Sequence, residues 1–163
     1  MRPSLRFLHI LGLVLFLGSL PTHIILGMAE PGGAIPAQGV LFARSMLRIL
    51  TLVATAPGLI LLAVTGVMGV RNSRWAGAGR WVVVHAVLGG AVAALGLLVL
   101  TPTVMMLAEQ AKIMADGTDS ALWARLAVVE DVAGAFNLIV ALLAVALVSF
   151  RPALRFGMRG EKQ

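Results

Sequence analysis

Residues 81–107 read WVVVHAVLGGAVAALGLLVLTPTVMML. An α-helix rising about 1.5 Å per residue needs about 20 apolar residues to cross a hydrocarbon layer about 30 Å thick, and this stretch exceeds that. Three further stretches, 5–28, 41–70 and 122–150, do the same. The pattern therefore specifies an all-α, four-helix integral membrane bundle. Within 81–107, Ala86, Gly89, Gly90, Ala93 and Gly96 recur every three or four residues, the spacing that lets membrane helices approach closely. Thr101-Pro102 should bend this span near its outer end. Pro57-Gly58 should bend the second span near its middle and free carbonyls that neighbouring groups must satisfy.

Composition supports the same class. Apolar residues make up 60% of the chain, charged residues only 12%, and the mean hydropathy is +0.98, well outside the range of soluble domains. Four spans and short connections consume nearly all of residues 1–163, which reads as a single four-span membrane domain. The chain has no cysteine, so disulfides, thiolate metal sites and thiol catalysis are excluded. A net charge of +6 in a soluble chain would suggest nucleic acid. Here it reads as a topology signal, and no nucleic-acid partner is expected.

The charges separate by side. Arg2, Arg6, Arg71, Arg74, Arg80, Arg151, Arg155, Arg159 and Lys162 share one side with Glu161 alone. The other side carries Arg44, Arg48, Lys112 and Arg125 against Glu30, Glu109, Asp116, Asp119, Glu130 and Asp131. By the positive-inside rule both termini are cytoplasmic, in a bacterial inner membrane. A second reading of the N-terminus competes: Arg2, Arg6, an apolar run, Pro21 and Gly27-Met28-Ala29 imitate a cleavable signal, whose removal would take His9 and His23 with it. The length of the apolar run and the hydrophobic Ile24-Ile25-Leu26 favour a retained span. The segment 108–121, with Asp116-Gly117-Thr118-Asp119, reads as an outer turn after a helix extension.

Ionisable groups inside a membrane span are costly, so the three histidines matter. The first and third spans run outward together. His9 lies four residues beyond Leu5 and His85 four beyond Trp81, which puts both rings about 6 Å inside the same boundary. Two neutral imidazoles facing each other across a bundle can hold a haem iron from both sides. Gly12, at i+3 from His9, and Gly89, at i+4 from His85, would leave gaps for a flat macrocycle. Arg6, Arg80 and Arg2 lie near the same boundary and could pair with haem propionates. The expected cofactor site is thus His9, His85, Gly12, Gly89, Arg80 and Arg6, with His9 and His85 on the iron of a haem b.

His23 follows His9 by fourteen residues, on nearly the same helix face and about 21 Å further along. This spacing is similar to that of the paired-haem helices of cytochrome b. The matching position on the third span is Val99, which argues against a second bis-histidine haem. An outer polar cluster of His23, Arg48, Glu130 and Asp131 could bind a quinone headgroup or a metal, or form an ion-pair network. The eight methionines lack a repeated spacing and read as core filling. Trp75, Trp81 and Trp123 read as interfacial anchors. No hydrolase triad, phosphate loop or pair of catalytic carboxylates is evident.

Leu8-His9-Ile10-Leu11-Gly12 with Gly18, then Arg48, Thr55-Ala56-Pro57-Gly58 and Thr65-Gly66, and finally Phe150-Arg151-Pro152, run through nearly the whole chain. In these motifs it resembles an uncharacterised bacterial family of four-helix integral membrane proteins. It is also similar to the HemJ-type protoporphyrinogen IX oxidases and, more distantly, to the copper-resistance D membrane domain. The resemblance implies haem b at His9, and matches Arg48, Pro57 and Gly58 to the oxidase pattern in the second helix. Where that pattern has a tryptophan followed four residues later by lysine, this chain has Trp81 and His85. A histidine there adds an iron ligand, and a six-coordinate iron has no open position for substrate or oxygen.

The expected function is a membrane haem protein in electron transfer, exchanging electrons with a quinone or a partner subunit. One alternative is a HemJ-like protoporphyrinogen oxidase. The other is a non-enzymatic accessory subunit of a membrane complex, or a copper-handling membrane protein.

Overall fold

The structure is a computed structural model and describes residues 3–72, 80–118 and 120–150. Four helices are long and apolar enough to cross a membrane: α1 (Pro3–Gly27), α2 (Ala37–Arg71), α3 (Trp81–Ala115) and α4 (Trp123–Phe150). The all-α, four-span architecture expected from the sequence is therefore present. Arg2, Arg74, Trp75, Asp119 and everything after Phe150 lie outside the described residues, as does the side chain of Arg80.

The span bounds differ most for α3, which continues beyond Leu107 to Ala115. Proline explains why it does not stop sooner. Pro57 and Pro102 each follow a wide π turn, at Thr51–Thr55 in α2 and Gly96–Leu100 in α3. In each, the residue just before the proline donates to a carbonyl five residues back: Ala56 N–H to Thr51 O, and Thr101 N–H to Gly96 O. Proline normally removes an i−4 bond and collides with the preceding turn; widening that turn absorbs both faults and keeps the helix continuous. Threonines occupy carbonyls around these turns. Thr51 Oγ1 donates to Leu47 O at 2.8 Å, Thr101 Oγ1 to Gly96 O at 2.9 Å and Thr103 Oγ1 to Val99 O at 2.8 Å.

Beyond Ala115, Gly117 adopts φ 84°, with its N–H on Met114 O and that of Thr118 on Ile113 O. This glycine-terminated C-cap is the outer turn expected at Asp116-Gly117. The Ser120 hydroxyl oxygen then accepts from Trp123 N–H at 3.2 Å and starts α4.

The helices pack in chain order, α1 on α2, α2 on α3 and α3 on α4. Among the described residues, the backbones of α1 and α4 do not pack extensively, and neither do the diagonal pairs. The α1–α2 crossing is very close. A Cβ on Gly12 would lie 2.9 Å from Gly58 O, and one on Gly58 would lie 2.8 Å from Phe16 N. Gly12 therefore serves helix approach and is not the macrocycle gap inferred from its place beside His9. At mid-bundle, Phe16, Leu59, Val92, Val140 and Ala141 form an apolar plug that bridges all four helices. A second cluster of Val40, Leu107, Ala111 and Trp123 closes the end opposite the termini. Many large side chains, including Phe7, Val14, Ile25, Val53 and Leu98, face outward. A lipid phase accommodates an apolar surface of that extent; water does not.

Candidate functional site

The plug divides the interior into two polar layers. The layer nearer the termini holds His9 and His85, whose ring centroids are 6.4 Å apart with planes inclined by 64°. Each ring is held through Nδ1. His9 Nδ1 lies 2.8 Å from Thr65 Oγ1, and the Thr65 hydroxyl hydrogen goes to Leu61 O at 2.5 Å. With that hydrogen on Leu61 O, Thr65 Oγ1 is an acceptor for a His9 Nδ1–H. His85 Nδ1 lies 3.1 Å from Ala144 O, and a carbonyl can only accept. Both imidazoles can thus take the Nδ1–H tautomer, in which Nε2 keeps its lone pair.

This arrangement can be tested against a metal. With a metal–nitrogen bond of about 2.0 Å and a ring nitrogen about 1.1 Å from its centroid, two imidazoles on opposite sides of one metal have centroids about 6 Å apart. The observed 6.4 Å fits. Fixing Nδ1–H on a carbonyl or hydroxyl is also how metal-bound histidines are oriented. Among the described residues, no three His, Asp or Glu side chains are grouped to hold a metal ion. The pair therefore suits a metal that brings its other ligands with it, as a porphyrin does.

The surroundings fit in part. A Cβ on Gly89 would meet nothing within 4 Å, nor would one on Gly66, which follows Thr65. Arg6 is exposed at the same end, one turn before His9. Seven residues on from the histidines, Phe16 and Val92 belong to the plug, so the layer is closed toward the bundle centre.

The second polar layer differs from the expected cluster of His23, Arg48, Glu130 and Asp131. Arg48 leaves it, turning outward to pair with Glu109 at 2.5 Å beside Lys112. The buried guanidinium is that of Arg44, 2% exposed. Arg44 pairs through Nη1 with Glu130, donates from Nη2 to Gly27 O at 3.1 Å and lies 5.0 Å over the Trp123 ring. Arg44 thereby ties α1, α2 and α4 together. Trp123 is 7% exposed and is part of this core, not the interfacial anchor expected from its position.

His23 reaches α2 as His9 does. Its Nε2 lies 3.0 Å from Thr55 Oγ1 and 3.4 Å from Thr51 Oγ1. Thr55 donates to Ser19 Oγ at 2.9 Å, Ser19 to Phe16 O at 2.7 Å, and Thr51 to Leu47 O. With both threonine hydrogens on those partners, a His23 Nε2–H can donate to Thr55, and Nδ1 is then an acceptor. His23, Glu130 and Asp131 do line one cavity, of about 440 Å³. Both π turns contribute to its wall through Thr51, Thr55, Gly96 and Leu100. At its inner end sits Asn137, 3% exposed, with a buried Oδ1 that has no partner.

Arg44 and Asn137 are not among the site residues read from the sequence, and Thr65 enters there only through the Thr65-Gly66 motif. Asn137 carried a readable signal, as a lone amide within an apolar span. No family model, curated protein or solved structure matches this chain.

Proposed function

We propose that this protein holds one b-type haem between His9 of α1 and His85 of α3 and passes single electrons within the membrane. The observation that carries the reading is the histidine pair: rings 6.4 Å apart, each bonded through Nδ1, each with Nε2 left to ligate. Thr65 and the Ala144 carbonyl hold the two rings in the ligating tautomer. Arg6, exposed at that end, is suited to a propionate. The chain has no cysteine for thioether attachment, so the haem would be non-covalent. When bound, the haem supplies a reversible one-electron couple. Two imidazole ligands favour that role over the HemJ-like oxidation of a porphyrinogen, which needs an open position or a substrate contact at the iron. The charge asymmetry supports an inner-membrane orientation with cytoplasmic termini.

The test is spectroscopic. Protein purified in detergent from haem-sufficient cells should show a Soret band and, on reduction, a low-spin α band. Both should be lost in His85→Ala and in His9→Ala. A colourless protein, or a haem spectrum that survives both substitutions, overturns the reading.

A further inference from the structure

The cavity in the other half of the bundle is independent of the histidine pair and lies beyond the Phe16 plug. It is a membrane-embedded space of about 440 Å³, within the range of small-molecule sites, with apolar walls from Phe16, Leu20, Leu59 and Leu138. It lies where α1 and α4 fail to pack as backbones. At Gly134 of α4, on its rim, a Cβ would meet nothing within 4 Å.

Its polar groups are mostly acceptors, the Asn137 Nδ2 amide being the donor among them. Thr51, Thr55 and Thr101 all line it, and each gives its hydroxyl hydrogen to another protein group. His23 Nε2 is engaged with Thr55, and in the tautomer that donates there Nδ1 is an acceptor. Glu130 and Asp131 are acceptors when ionised. The unpaired Asn137 Oδ1 is an acceptor as well, and leaving it unmatched costs about 1–3 kcal/mol. A ligand that offers only carbonyl oxygens finds almost nothing to bond with. A hydroxyl can donate to His23 Nδ1, and a second hydroxyl can both give to Asn137 Oδ1 and take from its Nδ2.

The two anchors stand at different levels of the same cavity. His23 sits at the level of Thr55. Asn137 sits at that of Leu59 and Gly96: a Cβ on Gly96 would lie 3.5 Å from Asn137 Nδ2. Thr55 and Leu59 are four residues apart on α2, about 6 Å along the axis. We infer that the cavity binds an alkylated para-hydroquinone, its two hydroxyls on His23 and Asn137 and its alkyl chain leaving between α1 and α4. The reduced ring is selected over the quinone because the wall presents acceptors.

Binding can be measured calorimetrically on the detergent-solubilised full chain, with decylhydroquinone under reducing conditions and decylquinone without reductant. The expected result is at least tenfold tighter binding of the hydroquinone. Asn137→Leu should cost at least tenfold without lowering thermal stability, since it removes a buried acceptor that has no partner. Gly134→Leu, which places a side chain in open space at the rim, should block binding in a folded protein. Equal affinity for the two redox forms overturns the inference, as does hydroquinone binding that survives both substitutions. Displacement of the hydroquinone by an equal concentration of dodecylamine also overturns it, because the site would then be one for lipophilic cations. None of these outcomes depends on whether the histidine pair carries haem.

Discussion

Arg44→Met should destabilise the bundle by about 3–5 kcal/mol, the range for breaking a buried ion pair by removing one partner. The parts support that size. Arg44 makes charged hydrogen bonds to Glu130 and to Gly27 O, each worth about 1.5–3 kcal/mol, and stacks on Trp123 for about 0.5–2 kcal/mol. Methionine restores some apolar contact but leaves Glu130, whose side chain is only 15% exposed, as an uncompensated carboxylate. Adding Glu130→Gln removes that charge, so the double variant should be more stable than Arg44→Met alone. Arg48→Met is the control: its partner Glu109 is half-exposed, and the change should fall within experimental error. Reversible unfolding in mixed dodecyl maltoside and SDS micelles, followed by far-UV circular dichroism and tryptophan fluorescence, gives the free energies of the wild type, Arg44→Met, Glu130→Gln, the double variant and Arg48→Met. The reasoning fails if Arg44→Met costs less than about 1 kcal/mol, or if the two substitutions simply add.

Thr65→Val keeps the side-chain shape but removes the acceptor for His9 Nδ1–H; haem affinity, measured by transfer to apomyoglobin, should fall about 10–100-fold while the saturated protein stays low-spin. Unchanged retention would show that Thr65 does not orient the ligand. Gly12→Ala should cost about 1–3 kcal/mol in the same unfolding assay, and trimming Leu62 to Ala should not restore it, because the obstacle is the Gly58 carbonyl at 2.9 Å. Gly96→Ala should cost a similar amount, but here the obstacle is Leu59 Cδ1 at 2.4 Å, so Leu59→Val should recover most of the loss.

The spans were legible because a lipid solvent makes one demand of composition, twenty or so apolar residues in a row, and four segments met it. The ends were less legible. Pro102 reads as a bend near the end of a span closing at Leu107, yet α3 runs thirteen residues past it, because the π turn that repairs the helix depends on backbone register and leaves little mark in residue type. The depth of His9 and His85 followed from counting along parallel helices. Their facing did not, since it depends on the rotation of two diagonal helices set by the Gly12–Gly58 crossing. Arg48 and Arg44 are one turn apart on α2, and sequence alone gave no ground for choosing between them. The choice was made by partners on other helices: Glu109 draws Arg48 outward, while Gly27, Trp123 and Glu130 surround Arg44.

Side chains meet across both diagonals of the bundle at opposite ends, as a ring pair at one and an ion pair at the other. The histidine pair spans α1 and α3 near the termini, and Arg44 with Glu130 spans α2 and α4 at the far end. Among the described residues the backbones of α1 and α4 do not pack extensively, and the Phe16 plug and the Arg44–Glu130 pair connect helices that are not sequential neighbours. A bundle held this way can keep a cavity open along the seam without losing its shape. The buried charges close the far end, the π turns widen the interior at the same level, and Asn137 remains unmatched there. An unpaired buried amide is expensive in a lipid-facing protein, and a space beside it that admits a hydroxyl-bearing ligand from the bilayer is the arrangement that offsets the cost.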